Sequence, residues 1–157
     1  MESKKLLDDV GWQIVRALQA NARVSLAELG RAIGMSPPAV AERIRRLEET
    51  GIVAGYRAVV SPEAVGLPVA AFIRLQTSSQ QYPALTARLQ QMPEVLECYH
   101  LAGPDAFIIK VAAASTEHLE RVIGQLSQFG PTNTSIVLSA AFEPKAIDPR
   151  ALPGSRD

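Results

Sequence analysis

Cysteine, histidine and aromatic residues are scarce in this chain, and their scarcity removes whole classes of function. A single cysteine, Cys98, excludes an intrachain disulfide. The two histidines, His100 and His118, stand far from any Cys, Asp or Glu arrangement with metal-ligand spacing, and neither a Gly-rich phosphate loop nor a Ser/His/Asp pattern is evident. Catalytic residues, a metal and a cofactor are therefore not expected. No apolar run approaches membrane-spanning length, so no membrane partner is expected. MESKKLLDDVGWQ has no long apolar core after its lysines, unlike a secretory signal, and the expected compartment is the cytoplasm. Cys98 falls in a predicted strand, where a buried, unreactive thiol is expected. His100 reads as an ordinary strand residue and His118 as a solvated one early on a helix.

Net charge is also absent, with 16 basic and 16 acidic residues, but the two signs are unevenly placed. Residues 1–60 hold nine Lys/Arg against seven Asp/Glu, and residues 61–157 hold seven against nine. A surplus of two is a weak sign of nucleic-acid binding, and the local cluster Arg43, Arg45 and Arg46 says more than the total.

That cluster lies in SLAELGRAIGMSPPAVAERIRRLEETG, residues 25–51, which predicts two short helices joined by a tight turn. Ser25 and Glu28 form a capping box, and Leu26, Leu29 and Ile33 share one face of the first helix. Gly34 suits a left-handed helix end, Ser36 an N-cap and Pro37 the first helical position. Val40, Ile44 and Leu47 give the second helix its apolar stripe before Thr50 and Gly51 close it. With that stripe buried, Ser36, Pro38, Ala39, Glu42, Arg43, Arg45 and Arg46 form the candidate DNA-binding set. Small residues ahead of arginines suit a helix whose start enters a major groove. Arg43 is the candidate for a guanine edge, and Arg45 and Arg46 for phosphates.

Leu7, Val10, Ile14 and Leu18 predict an earlier helix over about residues 5–20, with Trp12 at the edge of the core. IVAGYRAVV, residues 52–60, is β-branched and roughly alternating, and predicts a strand leaving the helical domain. SPEAVGLP then marks a linker. Beyond it, VAAFIRLQT, PALTARLQQM, VLECYHL, AFIIKVAAA, a Ser115-capped helix with Leu119, Val122, Ile123, Leu126 and Phe129, and TSIVLSAAF predict strand, helix, strand, strand, helix, strand. That is the ferredoxin-like βαββαβ order. Two helices cover one sheet face, and the other needs a partner, most simply a second copy. The expected fold class is α+β. A helix-turn-helix (winged-helix-like) domain spans 1–60, a linker 61–67, a ferredoxin-like sensing and oligomerisation domain 68–145, and a polar, mobile tail 146–157.

Gly103, Pro104 and Asp105 form the loop-like candidate for a ligand site in the second domain. Gly103 lets backbone N–H groups approach a carboxylate, and Asp105 is placed to receive an α-ammonium group. Thr132, Thr134 and Ser135 offer hydroxyls from the last strand. Gly-Pro-Asp is equally good chemistry for a plain hairpin turn.

Asn21-Ala22-Arg23, the SPPAVAERIRRLEETGIVAGY block and the Gly103 turn together resemble the Lrp/AsnC, or feast/famine, family of transcriptional regulators, and the resemblance runs to about Phe142. It implies double-stranded DNA as a partner, a small-molecule effector that is often an amino acid, and a homodimer assembling to an octamer. It further implies that the 52–60 strand pairs with its copy in a partner subunit, and that Gly103 and Thr134 contribute to an effector pocket between subunits. Two positions depart from the family pattern. Gly11 stands where an acidic residue is usual and is expected to loosen the first helix by about 1 kcal/mol. Ala106 stands where the motif has its acid, which is displaced to Asp105. The same layout also resembles sirohaem decarboxylases, an enzymatic alternative that would need Arg74, Arg88, Arg121 and His100 to converge.

Overall fold

The computed structural model describes residues 6–142 and 144–152. They form two compact units, one made of residues up to Ala58 together with those after 143, the other of Val59–Phe142.

The first unit contains α1 (Asp9–Ala20), α2 (Leu26–Ile33) and α3 (Pro37–Glu49). Its core is Leu6, Ile14, Val15, Leu29, Val40 and Leu47, with Trp12 partly buried at the margin. Helix α1 starts at Asp9, later than its periodicity suggests, because Asp8 caps it by accepting the Gly11 N–H at 2.8 Å. Gly11 does not loosen this helix. A Cβ there would stand 1.8 Å from the Leu6 carbonyl oxygen, so the glycine admits a close backbone approach. Helix α2 carries the expected capping box, with Glu28 N–H donating to Ser25 Oγ at 3.2 Å and Ser25 N–H to Glu28 Oε2 at 3.0 Å. Gly34 ends it at φ 72°. Ser36 holds the cap position of α3 without a side-chain bond. Pro37 and Pro38 follow it, and neither has an N–H to offer.

The expected strand over 52–60 does not form. Val53 N–H donates to Leu47 C=O at 3.0 Å and the Tyr56 hydroxyl to Glu48 at 2.9 Å, which fastens the start of the segment to the end of α3. Residues 54–60 then run without strand pairing, and Val59 is 95 % exposed. A β ladder needs a second strand, and the described residues supply none. Of the expected mobile tail over 146–157, residues 153–157 lie outside the described residues, and the part up to residue 152 is held rather than loose. Gln19 exchanges two hydrogen bonds with the Ile147 backbone, at 2.7 and 3.1 Å, and Asp148 caps a short 3₁₀ turn, Pro149–Ala151.

The second unit contains β1 (Val69–Leu75), α4 (Tyr82–Gln91), β2 (Val95–His100), β3 (Phe107–Ala113), α5 (Thr116–Leu126) and β4 (Thr132–Ile136). The sheet order is β2-β3-β1-β4 and every neighbouring pair is antiparallel. Ala71, Ile73, Leu75, Ile109 and Val111 meet Leu85 and Leu89 of α4 and Leu119, Val122 and Leu126 of α5 in one buried cluster. The alternate residues occupy the other face, where Phe72 pairs in register with Lys110, Arg74 with Ile108, and Tyr99 with Ile108. Phe72 and Tyr99 stay exposed there.

Three expectations for this unit need correction. Strand β4 begins at Thr132 and stops at Ile136, although its apolar sequence continues to Phe142; one further bond, Val137 N–H to Ala70 C=O at 2.9 Å, follows, and β1 itself begins at Val69, two residues before the partner of Ile136. Cys98 is exposed on edge strand β2, and partial burial pushes its thiol up, so it stays protonated at neutral pH. His118 is not simply solvated. Its Nδ1 accepts the Ala114 N–H at 3.2 Å and its Nε2 lies 2.9 Å from Glu94, which ties the start of α5 to the start of β2.

Two glycines give opposite expectations. Gly11→Ala forces apart a contact that cannot yield, at a cost of about 1–3 kcal/mol. Gly124 sits in exposed α5 with nothing within 4 Å of a new Cβ, so Gly124→Ala stabilises by up to about 1 kcal/mol. Urea unfolding monitored by Trp12 fluorescence for the first and by far-UV circular dichroism for the second checks both signs.

Candidate functional site

Helix α3 buries Val40 and Leu47 completely, which fixes the direction in which its opposite side points. At 3.6 residues per turn, Glu42, Arg45, Arg46 and Glu49 fall together on that opposite side, at spacings i, i+3, i+4 and i+7. Pro38 lies one turn earlier and is exposed; Ser36 is exposed and Ala39 half-buried. Arg45 grips the Glu42 carboxylate through Nε at 2.9 Å and Nη2 at 2.7 Å, and also pairs with Glu49. Arg46 Nε lies 3.4 Å from the same Glu42. These side chains are all exposed, and exposed pairs of this kind open at little cost.

Arg43 is placed differently from the expected guanine reader. It leaves the flank of α3 and forks onto Asp8, with Nη2 to Oδ2 at 2.7 Å and Nη1 to Oδ1 at 3.3 Å, and its side chain is 27 % exposed. Asp8 thus caps α1 and holds α3 with the same carboxylate. The Arg43 guanidinium and the Gly11 N–H keep the Asp8 carboxyl below the usual aspartate range. Arg43 therefore acts as a cross-helix tie. Neither residue alone reveals this, because the partners lie 35 positions apart.

In the second unit, Gly103 adopts φ 140°, in the region that favours glycine, at the turn between β2 and β3. Pro104 beside it is exposed. Asp105 accepts a hydrogen bond from the Gln76 amide at 3.1 Å, Ala106 N–H donates to Leu75 C=O at 3.0 Å, and Gln76 N–H donates to Pro131 C=O at 3.0 Å. The end of β1, the β2–β3 turn and the start of β4 therefore meet at one end of the sheet. Thr132 belongs to this end, in register with Leu75. Thr134 pairs with Ile73 on the helix-covered face, while Ser135 pairs with Phe72 on the open face, so the three hydroxyls do not converge within one chain. Next to Gln76, the buried Thr77 Oγ1 has no hydrogen-bond partner among the described residues. Gln76 and Thr77 were missed by sequence reasoning, which read them only as the end of a strand; the βαββαβ order itself places that end beside the Gly103 turn.

The tetrapyrrole alternative finds no convergent cradle. Arg74 bonds Asn133 at 2.8 Å on the open face, whereas His100 packs with Tyr82 and Phe107 on the other, ring centroids 4.9 and 5.0 Å away. Arg88 is engaged by Gln125. Among the described residues no group of three His, Cys, Asp or Glu is arranged to hold a metal ion, and no helix is long and apolar enough to cross a membrane.

Residues 7–48 match the AsnC-type helix-turn-helix domain and residues 70–147 the Lrp/AsnC ligand binding domain. The chain is 34 % identical over 133 residues to the HTH-type transcriptional regulator LrpC of Bacillus subtilis, covering 85 % of this chain and 92 % of that protein. The solved structure of B. subtilis LrpC superposes with a TM-score of 0.82 at 33 % identity, over 87 % of this chain and 97 % of that one. The feast or famine regulatory protein Rv3291c of M. tuberculosis, complexed with L-methionine, gives 0.80 at 36 % identity, over 87 % and 95 %. Transcriptional regulator NMB0573 of Neisseria meningitidis, in an L-Met complex, gives 0.84 at 28 % identity, over 90 % and 96 %.

The tie between α1 and α3 sets its own pH dependence. Asp8 has a folded value below its ordinary 3.8, so its stabilisation is complete above that pH and disappears as pH falls through the lower folded value. Asp8→Ala is expected to cost about 1 kcal/mol at pH 7, as a lost helix cap does, and the gap to wild type should narrow in acid. Urea titrations on Trp12 fluorescence between pH 2 and 7 measure it.

Proposed function

Because the chain belongs to the Lrp/AsnC family of transcriptional regulators, we propose that it reads DNA with the outer side of α3, self-associates through the second unit, and responds to an amino acid or similar metabolite. The observation that carries the DNA-reading part is the pair Arg45 and Arg46 standing opposite the completely buried Val40 and Leu47. Ser36, Pro38 and Ala39 form the narrow leading end that enters the major groove, Glu42 stands at its centre, and Arg45 and Arg46 meet phosphates. Arg43 acts indirectly, by holding α3 against α1. In domain terms, residues 1–60 read DNA, 61–67 link, 68–145 sense and associate, and the C-terminal residues close back on the first unit.

Self-association is supported by the uncovered sheet face. Phe72, Tyr99 and Ile108 cannot be sheltered by α4 and α5, which lie on the far side. A second copy brings an identical face, and two copies present two α3 helices to half-sites about one helical turn, or a multiple, apart. The unpaired 54–60 segment is a second place where a partner copy completes a ladder. The family's octamer is the next level of the same assembly.

For the effector, the support is the convergence of Gly103, Asp105, Gln76 and Thr132 at one end of the sheet, together with the unpartnered Thr77 hydroxyl. An α-ammonium group would take over from the Gln76 amide as donor to Asp105, with backbone N–H groups on either side of Pro104, which has none of its own, facing the carboxylate. Thr134 and Ser135 take part only if a neighbouring subunit brings them there. Two relatives hold L-methionine, which makes that amino acid the first probe. An effector acts on DNA binding only through a difference in its affinity for two states of the assembly.

Two outcomes test this reading. Phe72→Asp is expected to keep the circular dichroism spectrum and yield monomers by light scattering; unchanged oligomers would remove the sheet face from the interface. A calorimetric screen of the 20 amino acids, beginning with L-methionine, is expected to find a binder whose affinity falls at least tenfold in Asp105→Asn, and a screen with no binder would end the amino-acid version.

A further inference from the structure

The outer side of α3 is not a basic surface. Each arginine on it is already matched by an acid of the same helix, two Arg against two Glu, and both arginines share the one Glu42 carboxylate. Arg43, the remaining cation of the helix, is spent on Asp8. Glu48, the remaining acid, accepts the Tyr56 hydroxyl. An ordinary DNA-binding helix gains most of its sequence-independent affinity from cations that neutralise phosphates, and here that attraction is cancelled in advance.

We infer that Glu42 is a specificity-determining residue, an internal stand-in for phosphate that holds Arg45 and Arg46 until a duplex offers its carboxylate a base-edge donor. This rests on the DNA-reading role of α3 proposed above. When a duplex approaches, its phosphate oxygens compete with Glu42 for the two guanidinium groups. The exposed pairs, with side chains 52–58 % accessible, exchange readily. Once released, the Glu42 carboxylate faces the groove of a polyanion. The Arg45 contact holds it below the usual carboxyl range in the free protein, so it starts out ionised at neutral pH. At most sequences it then meets acceptors and is repelled. Where a cytosine N4 or adenine N6 amino group lies within reach, the carboxylate accepts a hydrogen bond and the penalty is removed. Discrimination by a penalty against wrong partners is the usual way to gain specificity without adding attraction. Glu49 shares the arginine but lies two turns further from the helix start, so the groove-facing role falls to Glu42.

The test uses the full chain and two fluorescent duplexes. One is enriched from a random-sequence pool by the wild-type protein, and the other is the same sequence scrambled. Anisotropy titrations across a salt series are run for wild type, Glu42→Gln and Glu49→Gln. Glutamine keeps the size and removes the charge. Glu42→Gln is expected to raise affinity for the scrambled duplex about tenfold, to steepen its log–log salt slope toward one additional phosphate contact, about −0.9, and to leave the enriched duplex unchanged or weaker. Glu49→Gln is expected to alter both duplexes by the same smaller factor. The inference is overturned if scrambled-duplex affinity and slope do not move, or if Glu42→Gln strengthens both duplexes equally. A wild-type chain that enriches no sequence and retains neither duplex overturns the DNA-reading proposal itself, and that result is seen before any variant is compared.

Discussion

A sheet with both helices on one side has a second face that its own chain cannot cover. In this protein that constraint follows from the βαββαβ order, in which both crossings place their helix on the same side of β1 and β3. Ile73, Leu75, Ile109 and Val111 are fully sheltered, and their neighbours Phe72, Ile108 and Tyr99 are held out on the other side by the alternation of the strands. The incomplete pairing of 54–60 and the early end of β4 belong to the same situation. Each is a stretch of β-type sequence with no ladder partner among the described residues, and each would find one under the self-association proposed above.

In the helical unit the decisive arrangement is the orientation of α3. Val40 and Leu47 set which side is outward, and the fork between Arg43 and Asp8 locks α3 to the start of α1. Asp8 also caps α1, so one carboxylate fixes both a helix end and a helix pair. The remaining charges on α3 are balanced within the helix. On the inference drawn above, attraction to any duplex is thereby kept low, and recognition would depend on what a particular sequence offers to the side chains once their internal pairs open.

Much of this was visible in the order of residues, and the failures share a cause. The Ser25–Glu28 box, the left-handed Gly34, the apolar stripes of α3, α4 and α5, and the strand-helix alternation after Val69 are all local patterns, and each has the form it was expected to have. What local patterns could not show were contacts made at a distance. Arg43 looked outward because its partner lies on another helix. Gly11 looked like a weakness because the Leu6 carbonyl it admits is invisible to propensity. The Gly103 turn and Thr132 could be anticipated as neighbours from topology, whereas Gln76 and Thr77 acquire interest only when the end of β1 is seen beside them. Ser36 illustrates a different failure, since the prolines that mark the helix start remove the N2 donor that its hydroxyl could accept from, and the hydroxyl makes no bond to the N3 donor of Ala39 either.

The clasp between Gln19 and the Ile147 backbone joins residues 128 positions apart, yet among the described residues the six buried ones of the first core all precede residue 48. During synthesis the N-terminal helices can therefore pack as soon as they leave the ribosome, well before the sheet exists. Their last two hydrogen bonds must wait until nearly the whole polypeptide has emerged. The helices of the first unit are in this sense first to be built and last to be fastened, and a nascent chain interrupted inside the sheet would carry the helices without the clasp.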